Sequence, residues 1–274
     1  MLTKDQLSEI RDLQDECEAE DGIRLKLNWD MLERRQDGIK QDFLVYDSNE
    51  LAGFIGLYGF GNKAELCGMV KPEYRRKGLF SSMLNEAWEE ARKQGFHKIL
   101  LNAPSSSESA KKFLASLQAV YVFSEHQMKW EGGPLTPSDD VTLRLSTDQD
   151  IPFETGLEID CFGFTPIEAD MYVNRVKLEN REQFFIIEFK GEAVGKVRLA
   201  EEKEKESWIY GFAVSPKHQK KGIGRQTLHR ILSEETSKGR SVFLEVEAKN
   251  LHALKLYESV GFKAYDAQDY YLLR

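Results

Sequence analysis

The chain has 274 residues, enough for two ordinary domains, and 41% of them are hydrophobic, enough for a packed core. The net charge is −8 and there is no long basic block, which disfavours nucleic acid as the main partner because that binding draws on clustered lysines and arginines. The longest apolar stretch, Leu51 to Phe60, is about half as long as a membrane span, and the chain starts without the apolar segment of a secretory signal.

The first half of the chain is predicted to begin with a helix and then to form a hairpin. Its two strands, Phe43–Tyr46 and Leu51–Leu57, flank a short polar turn. The segment after Val70 is a proline-containing turn that opens a helix, and this helix is predicted to end at Gly95, where a glycine can cap it. A short apolar strand at 99–101 follows.

A segment rich in glycine and proline, 131–140, separates the two halves. On this basis we predict that residues 1–132 form one domain and residues 141–274 another, with 133–140 as the linker. The first domain is expected to pack on the second.

The second half repeats this order of elements after an additional opening strand, Val141–Leu145. A hairpin with a glycine turn is predicted at 184–199, and a further strand at Trp208–Val214. A basic turn that contains glycine then opens a helix near Ile223. The remaining predicted elements are a strand at Val242–Val246, a short helix from Asn250 to Gly261 and a strand that begins at Phe262.

The two halves form an internal repeat with an offset of 144 residues. Val70 to Phe80 aligns with Val214 to Gly224, and the apolar positions of the helices that follow recur at matching spacings. This spacing is typical of helices that face a core. The chain is therefore interpreted as two diverged copies of one α/β unit.

The turn Gln219–Gly224 in the second copy has the features of an anion site. The first turn of a helix has unpaired backbone N–H groups and the positive end of the helix dipole. Glycines at 222 and 224 let a pyrophosphate approach the backbone. A P-loop motif is absent, and Thr227 stands where a dinucleotide-binding fingerprint needs a third glycine. Taken alone, the turn also fits a plain helix start.

A second motif follows the strand at 242–246. Together, V-x-P-x-x-Q-x-x-G-x-G in residues 214–224 and N-x-x-A-x-x-L-Y-x-x-x-G-F in residues 250–262 resemble the GCN5-related N-acetyltransferase (GNAT) superfamily, and their separation is similar as well. The resemblance covers the second half directly and reaches the first half through the internal repeat. It implies an α/β fold of two tandem GNAT-like domains, each a mixed, mostly antiparallel sheet flanked by helices.

The resemblance implies acetyl-coenzyme A (acetyl-CoA) as the co-substrate. Backbone N–H groups of the turn would bind the pyrophosphate, and the end of the preceding strand would hydrogen-bond the pantetheine arm. Asn250 matches a polar contact to the cofactor, and Tyr257 matches the position that protonates the leaving thiolate. The cofactor-binding residues implied in this way are Phe212, Ala213, Val214, Gln219, Lys220, Lys221, Gly222, Ile223, Gly224, Arg225, Asn250 and Tyr257.

Direct attack by an amine needs a base for the ammonium, donors for the oxyanion and an acid for sulfur. Glu245 is the candidate base, because alternation along its strand places it opposite the apolar side chains, and a carboxylate on a central strand is costly unless it faces a cleft or a partner. The run Leu244–Val246 also resembles the ribosomal-protein alanine acetyltransferase subgroup, but Glu247 stands where that subgroup usually has arginine. A paired or edge-exposed carboxylate is the alternative interpretation.

The first copy lacks each proposed chemical group, although it keeps the apolar positions of the scaffold. The alignment therefore predicts one active site, in the second copy, and a catalytically silent first copy. The corresponding residues are Phe80 for Gly224, Leu101 for Glu245, Ser106 or Ser107 for Asn250, and Phe113 or Leu114 for Tyr257.

The leading hypothesis is an acetyl-CoA-dependent N-acetyltransferase that acts on a small-molecule or peptide amine, with Glu245 and Tyr257 as catalytic residues. One alternative is a non-enzymatic acyl-CoA sensor or partner-binding module. Another is acetylation of a thiol-cofactor precursor, as in mycothiol synthase, itself a tandem member. The isolated histidines show no metal-ligand spacing, so no metal is expected. The three scattered cysteines, Cys17, Cys67 and Cys161, favour a cytoplasmic protein.

Overall fold

The structure is a computed structural model that describes residues 1–35, 37–60, 63–179, 182–201 and 204–273. The first half of the chain contains α1 (Lys4–Asp21), α2 (Trp29–Leu32), β1 (Asp42–Asp47), β2 (Glu50–Phe60), β3 (Lys63–Val70), α3 (Leu79–Lys93), β4 (Lys98–Pro104), α4 (Glu108–Ser116) and β5 (Val120–Trp130). The second half contains β6 (Val141–Leu145), α5 (Ile151–Phe162), α6 (Pro166–Glu179), β7 (Glu182–Phe189), β8 (Glu192–Glu201), β9 (Glu206–Val214), α7 (Ile223–Ser237), β10 (Ser241–Glu247), α8 (Leu251–Val260) and β11 (Phe262–Leu272).

These elements form two compact units. The first unit is Met1–Ser124 together with Asp266–Arg274, and the second unit is Glu125–Tyr265. The predicted domain limits of 1–132 and 141–274 follow the sequence repeat, whereas the units follow packing. The two divisions differ because β5 ends within the second unit and β11 ends within the first.

The sheet of the first unit is mixed and mostly antiparallel. Strands β1, β2 and β3 pair antiparallel, β3 and β4 pair parallel, and β4 pairs antiparallel with residues 268–272 of β11. Helix α1 begins with a capping box between Thr3 and Gln6 and ends at Gly22, whose φ of 63° is left-handed. Hydrophobic side chains form one core between the sheet and α1 and another between the sheet and α3.

The sheet of the second unit has the same plan. Strands β6 to β9 pair antiparallel, β9 and β10 pair parallel, and β10 pairs antiparallel with residues 125–129 of β5. Its main core lies against α7 and α8 and includes Leu228, Leu232 and Tyr257. The predicted fold class is confirmed, because each unit is a mixed, mostly antiparallel sheet with flanking helices.

Most predicted elements agree with the structure. The predicted hairpins are β1–β2 and β7–β8, and the predicted opening strand is β6. Strand β5 was not predicted, since most of its side chains are half-buried and its sequence lacks a clear apolar face. Within the described part of the chain, 131–140 forms neither helix nor strand. None of the described helices combines the length and the apolar character needed to cross a bilayer.

Candidate active site

The turn predicted to bind a pyrophosphate joins β9 to α7 in the second unit. The side-chain amide of Gln219 donates to the carbonyl of Val214, the last residue of β9, at 2.9 Å. Lys220 and Gly222 have left-handed φ values of 60° and 80°, which turn the chain into α7. Because the N-cap of α7 is Gly222, no cap side chain occupies the first backbone N–H groups, and these groups remain available to an anion.

Gly224 lies where the start of α7 approaches α8 and the end of β9. A Cβ atom at this position would lie 3.2 Å from Leu256 Cδ2 and 3.6 Å from Phe212 Cζ. A larger side chain would therefore displace a neighbour in a closely packed region. The glycine allows this packing and also leaves the backbone of the helix start open to a phosphate group.

The ends of β9 and β10 separate beside this turn. Their parallel pairing ends at Ile209 and Leu244, although β9 continues to Val214. The register between β8 and β9 shifts at the same place, where Gly211 has a left-handed φ of 54°. On the side of β9 toward β10, the backbone from Phe212 onward has no strand partner within the described chain. Except for the Val214 carbonyl, which accepts from Gln219, its polar groups on this side are therefore available to an extended ligand arm such as pantetheine.

Tyr257 lies on α8 with its ring in the core of the second unit. The side chain is buried, and its ring packs edge-on against Phe262 at a centroid distance of 6.0 Å. Burial raises the pKa of the Tyr257 phenol to about 12. No described residue forms a hydrogen bond with its hydroxyl. The proton is thus held at neutral pH, and the hydroxyl is not committed to another group of the protein.

Asn250 is the N-cap of α8. Its side-chain oxygen accepts from the backbone N–H of Ala253 at 3.1 Å, which gives this residue a structural role. The side chain is exposed, so its NH₂ group is the part that remains to contact a ligand. The cofactor contact implied by the resemblance stays a prediction.

Glu245 lies on the predicted face of β10, opposite the buried Val242, Leu244 and Val246. The side-chain amide of Gln127, its cross-strand neighbour, donates to Glu245 Oε1 at 2.9 Å. The alternative interpretation, in which the carboxylate is simply paired with a neighbour, is therefore consistent with the structure, and Gln127 is that neighbour. A hydrogen-bonded carboxylate keeps lone pairs for a second donor, so this contact is compatible with a role as base.

The basic side chains of the predicted phosphate-binding turn are open to solvent. Lys220 and Lys221 are exposed, and Arg225 donates to the hydroxyl of Ser259 on α8 at 3.0 Å. Among the described residues, no group of histidine, cysteine, aspartate and glutamate side chains is arranged to hold a metal ion.

The strand registers correct one correspondence between the two copies. The last parallel pair is Leu66–Leu101 in the first unit and Ile209–Leu244 in the second. The offset on these strands is therefore 143, and the assignment of Leu101 to Glu245 is wrong. The connection between α3 and β4 is one residue longer than the connection between α7 and β10. Residues of β4 are therefore shifted by one position relative to the constant offset. The residue that corresponds to Glu245 is Asn102.

The helix caps show how the following segment corresponds. The hydroxyl of Ser107 accepts from the backbone N–H of Ala110 at 3.2 Å at the start of α4, as Asn250 does at the start of α8. Ser107 thus corresponds to Asn250, and the same offset assigns Leu114 to Tyr257. The first unit has no hydroxyl at the position of the candidate acid.

A buried ionic cluster in the second unit was missed in the sequence. On α5, Glu158 pairs with Lys196 of β8, and Glu154 pairs with Lys177 of α6 at 2.6 Å. Lys196 and both glutamates are at most 4% exposed, and burial lowers the pKa of Lys196. Next to them, Arg198 donates to the Tyr172 hydroxyl at 2.9 Å.

Arg198 connects this cluster to the strand end that is predicted to hold pantetheine. A Cβ atom on Gly211 would lie 2.8 Å from Arg198 Nε, so the guanidinium packs directly against the bulge of β9. The thiol of Cys161 on α5 also contacts the carbonyl of Val214 at 3.7 Å. The cluster therefore supports the backbone beside the candidate site, although no sequence motif marks it.

The first unit lacks these charges at the corresponding positions. Its Cys17 contacts the Val70 carbonyl at 3.4 Å, as Cys161 contacts that of Val214, which aligns the two first helices. This alignment assigns Ile10 to Glu154, and the strand registers assign Phe54 to Lys196. Both are fully buried. The helix alignment also assigns the uncharged Gln14 to Glu158. Since uncharged residues suffice at these three positions, a buried ion pair is not a requirement of the fold.

The buried pair predicts an asymmetric effect on stability. Lys196→Met should lower the free energy of unfolding by about 3 kcal/mol, because the Glu158 carboxylate is left buried without its partner. The double variant Glu158→Leu, Lys196→Met should recover most of this loss in urea unfolding. Lys217→Met, at an exposed position, is the control and should be neutral. Additive losses in the double variant would contradict the prediction.

Comparison with known proteins identifies a family. The model described as "Acetyltransferase (GNAT) family" matches residues 5–118 and 153–262. The ribosomal protein bS18-alanine N-acetyltransferase of Escherichia coli (strain K12) is 40% identical over 58 residues, which are 21% of this chain and 39% of that protein. The spermine/spermidine N(1)-acetyltransferase of Bacillus subtilis (strain 168) is 29% identical over 58 residues, 20% of this chain and 38% of that protein. The matches thus span less than half of these curated relatives.

Solved structures match over nearly the whole chain. A GCN5-related N-acetyltransferase from Sphaerobacter thermophilus has a TM-score of 0.80 at 18% identity, and the match covers 100% of this chain and 94% of that chain. A tandem GNAT protein from the clavulanic acid biosynthesis pathway has a TM-score of 0.69 at 17% identity, with 98% and 94% covered. At these identities the similarity shows the fold.

Proposed function

This chain belongs to the acetyltransferase (GNAT) family, and we propose that its second unit transfers an acetyl group from acetyl-CoA to an amine. The observation that carries the proposal is the joint geometry of the turn and the separated strands. The open helix start at Gly222 and the unpaired strand backbone from Phe212 provide donors for a pyrophosphate and for pantetheine, respectively. The residues present thus fit acetyl-CoA.

The proposed reaction is direct attack of a neutral amine on the thioester carbonyl. The C–N bond forms, the C–S bond breaks, and coenzyme A leaves as the thiol. Before the attack, Glu245 accepts one proton from the ammonium, directly or through water. After it, Tyr257 donates its proton to sulfur, and the second proton lost by the nitrogen returns to the Tyr257 phenolate. The high pKa of Tyr257, about 12, supports the second role, because the phenol is protonated when the thiolate leaves.

We propose a single active site. In the first unit, Phe80 takes the place of Gly224, and the carboxylate and the phenol are replaced by Asn102 and Leu114. None of these three residues can act as a base or an acid at neutral pH.

The acceptor is proposed only as an amine. The two curated relatives are named for acetylation of a ribosomal-protein alanine and of polyamines. These acceptors share a primary amine and little else. We therefore propose only the amine group as a feature of the acceptor of this chain. The test measures the release of coenzyme A when the protein is incubated with acetyl-CoA and, in turn, with peptides that have a free N-terminus, polyamines and amino sugars. Tight acetyl-CoA binding without release on any of them would favour a non-enzymatic sensor instead.

Glu245→Gln tests the base. The variant should lower kcat/KM about 10²–10⁴-fold, the usual contribution of a general base, because the amide cannot accept the proton. The amide can still accept a hydrogen bond in place of the carboxylate, which limits structural change. Gln127→Ala is the control, because it removes the partner of Glu245 and keeps the carboxylate. A wild-type kcat/KM in Glu245→Gln would exclude this base.

A further inference from the structure

The first unit contains a cavity that the proposed function does not use. It has a volume of about 200 Å³ and lies between the ends of β3 and β4. These strands separate as their counterparts do in the second unit, because their parallel pairing ends at Leu66 and Leu101 while β3 continues to Val70. An apolar cavity of about 150 Å³ is enough to hold benzene in another protein, so this cavity is large enough for a small organic molecule.

The cavity wall is built from the residues that replace the chemical groups of the second unit. The counterparts of Gly224, Glu245, Asn250 and Tyr257 all line it, and they are Phe80, Asn102, Ser107 and Leu114. Phe80 packs edge-on against Phe113 at 5.0 Å, which places aromatic carbon where the second unit has a glycine. These replacements therefore give the cavity a mainly apolar wall in place of the candidate catalytic groups, and they do not fill it.

Asn102 is the one wall residue whose polar groups are unexplained. Its amide nitrogen and its amide oxygen are both buried, and neither has a hydrogen-bond partner among the described residues. This result does not depend on which way the amide is oriented, because both atoms are unpaired. Buried polar groups normally find a hydrogen-bond partner, and a buried group without one is destabilising.

The charged and sulfur-containing groups of the wall are compatible with a neutral ligand. Arg76, which also lines the cavity, is exposed, so solvent screens its charge. The Arg75 guanidinium donates to the Val70 carbonyl at 2.9 Å and pairs with Asp21 at 2.8 Å, so its charge is compensated. Burial raises the pKa of the Cys67 thiol to about 12, and this group stays uncharged. A carboxylate ligand could accept from the amide nitrogen of Asn102 but could not donate to its oxygen.

We propose that this cavity binds a small neutral amide with a short apolar substituent. Such a ligand offers one N–H donor and one carbonyl acceptor, which match the two unpaired atoms of Asn102. Its alkyl part would pack against Phe80, Phe113 and Leu114. The site lies within the first unit and does not depend on acetyl transfer by the second.

The test uses the full chain with hexanamide as the probe, and hexanoate and 1-hexanol as comparison ligands. Hexanamide should bind in the millimolar range or tighter by calorimetry or ligand-observed NMR. Its affinity should exceed that of hexanoate about tenfold or more, since the carboxylate leaves one Asn102 atom unpaired. Absence of hexanamide binding, or equal affinity for hexanoate, would overturn the proposal.

Two variants locate the site. Ala110→Phe places a ring in the cavity and should abolish binding, whereas Ala115→Phe, at an exposed position of the same helix and outside the cavity wall, should bind normally. Asn102→Leu keeps the size of the side chain and should lower hexanamide affinity about tenfold. The affinity for 1-hexanol should fall as well, because its hydroxyl can also pair with the amide. Unchanged hexanamide binding in Asn102→Leu would refute the role of the amide, even where Ala110→Phe fails to fold.

A third variant separates this proposal from acetyl transfer. Gly224→Phe changes the second unit only, so hexanamide should bind to it with unchanged affinity. Loss of hexanamide binding in this variant would place the ligand in the second unit and reject the cavity of the first. Displacement of hexanamide from Gly224→Phe by coenzyme A would also overturn the proposal, because it would identify the cavity of the first unit as a cofactor site.

Discussion

Gly224→Phe should weaken acetyl-CoA binding by about 100-fold or more, which corresponds to about 2.8 kcal/mol. The variant copies the residue of the silent first unit into the second. The Cβ atom alone would lie 3.2 Å from Leu256 Cδ2, so the ring must turn toward the open side of the helix start. That is the space in which a pyrophosphate would meet the backbone N–H groups of α7.

The affinity is measured by calorimetry with acetyl-CoA. Glu234→Phe is the matched control, since it adds the same ring to an exposed position near the other end of α7. The control should bind acetyl-CoA as the wild type does. If Gly224→Phe folds and keeps wild-type affinity, the cofactor does not lie at this turn, and the proposed function loses its main support.

The turn was predictable because local residue chemistry determines its shape. Lys220 and Gly222 have φ values of 60° and 80°, and Arg76 and Gly78 in the first unit have 64° and 81°. The left-handed glycine is therefore kept in both copies, even where the chemical residues are not. A repeat in the sequence was enough to predict this backbone twice.

The correspondence of Glu245 was not predictable from a constant offset. One additional residue between α3 and β4 moves the strand by one position, and successive strand residues point to opposite faces. A shift of one residue therefore exchanged the buried Leu101 for Asn102, which is on the other face. The apolar residues of β4 and β10 fit an offset of either 144 or 143. The pairing of each strand with its parallel neighbour distinguishes the two alignments.

The ionic cluster was missed for a different reason. Glu154 and Glu158 are four residues apart on a helix, and such charges are usually interpreted as a solvated face. Their burial depends on Lys196 and Lys177, which lie on other elements. The sequence did contain one signal for the cluster, the pair Cys17 and Cys161. This pair extends the repeat to the first helices, and the extended alignment shows that core positions of one copy are charged in the other.

Tyr257→Phe should lower kcat by about 10²–10⁴-fold, the usual contribution of a general acid or base, and should leave the KM for acetyl-CoA nearly unchanged. The substitution keeps the ring that packs against Phe262 and removes only the hydroxyl. Since that hydroxyl has no hydrogen-bond partner among the described residues, its removal leaves no other group unsatisfied, and the thermal midpoint should change little.

Tyr58→Phe is the matched control, because Tyr58 in the first unit is also fully buried and its hydroxyl also lacks a partner among the described residues. It should keep the wild-type kcat. The pH dependence adds a second readout: with a pKa of about 12, Tyr257 remains protonated through neutral pH, so it should cause no decrease in kcat near pH 10. A normal kcat in Tyr257→Phe would reject the phenol as the acid that protonates sulfur.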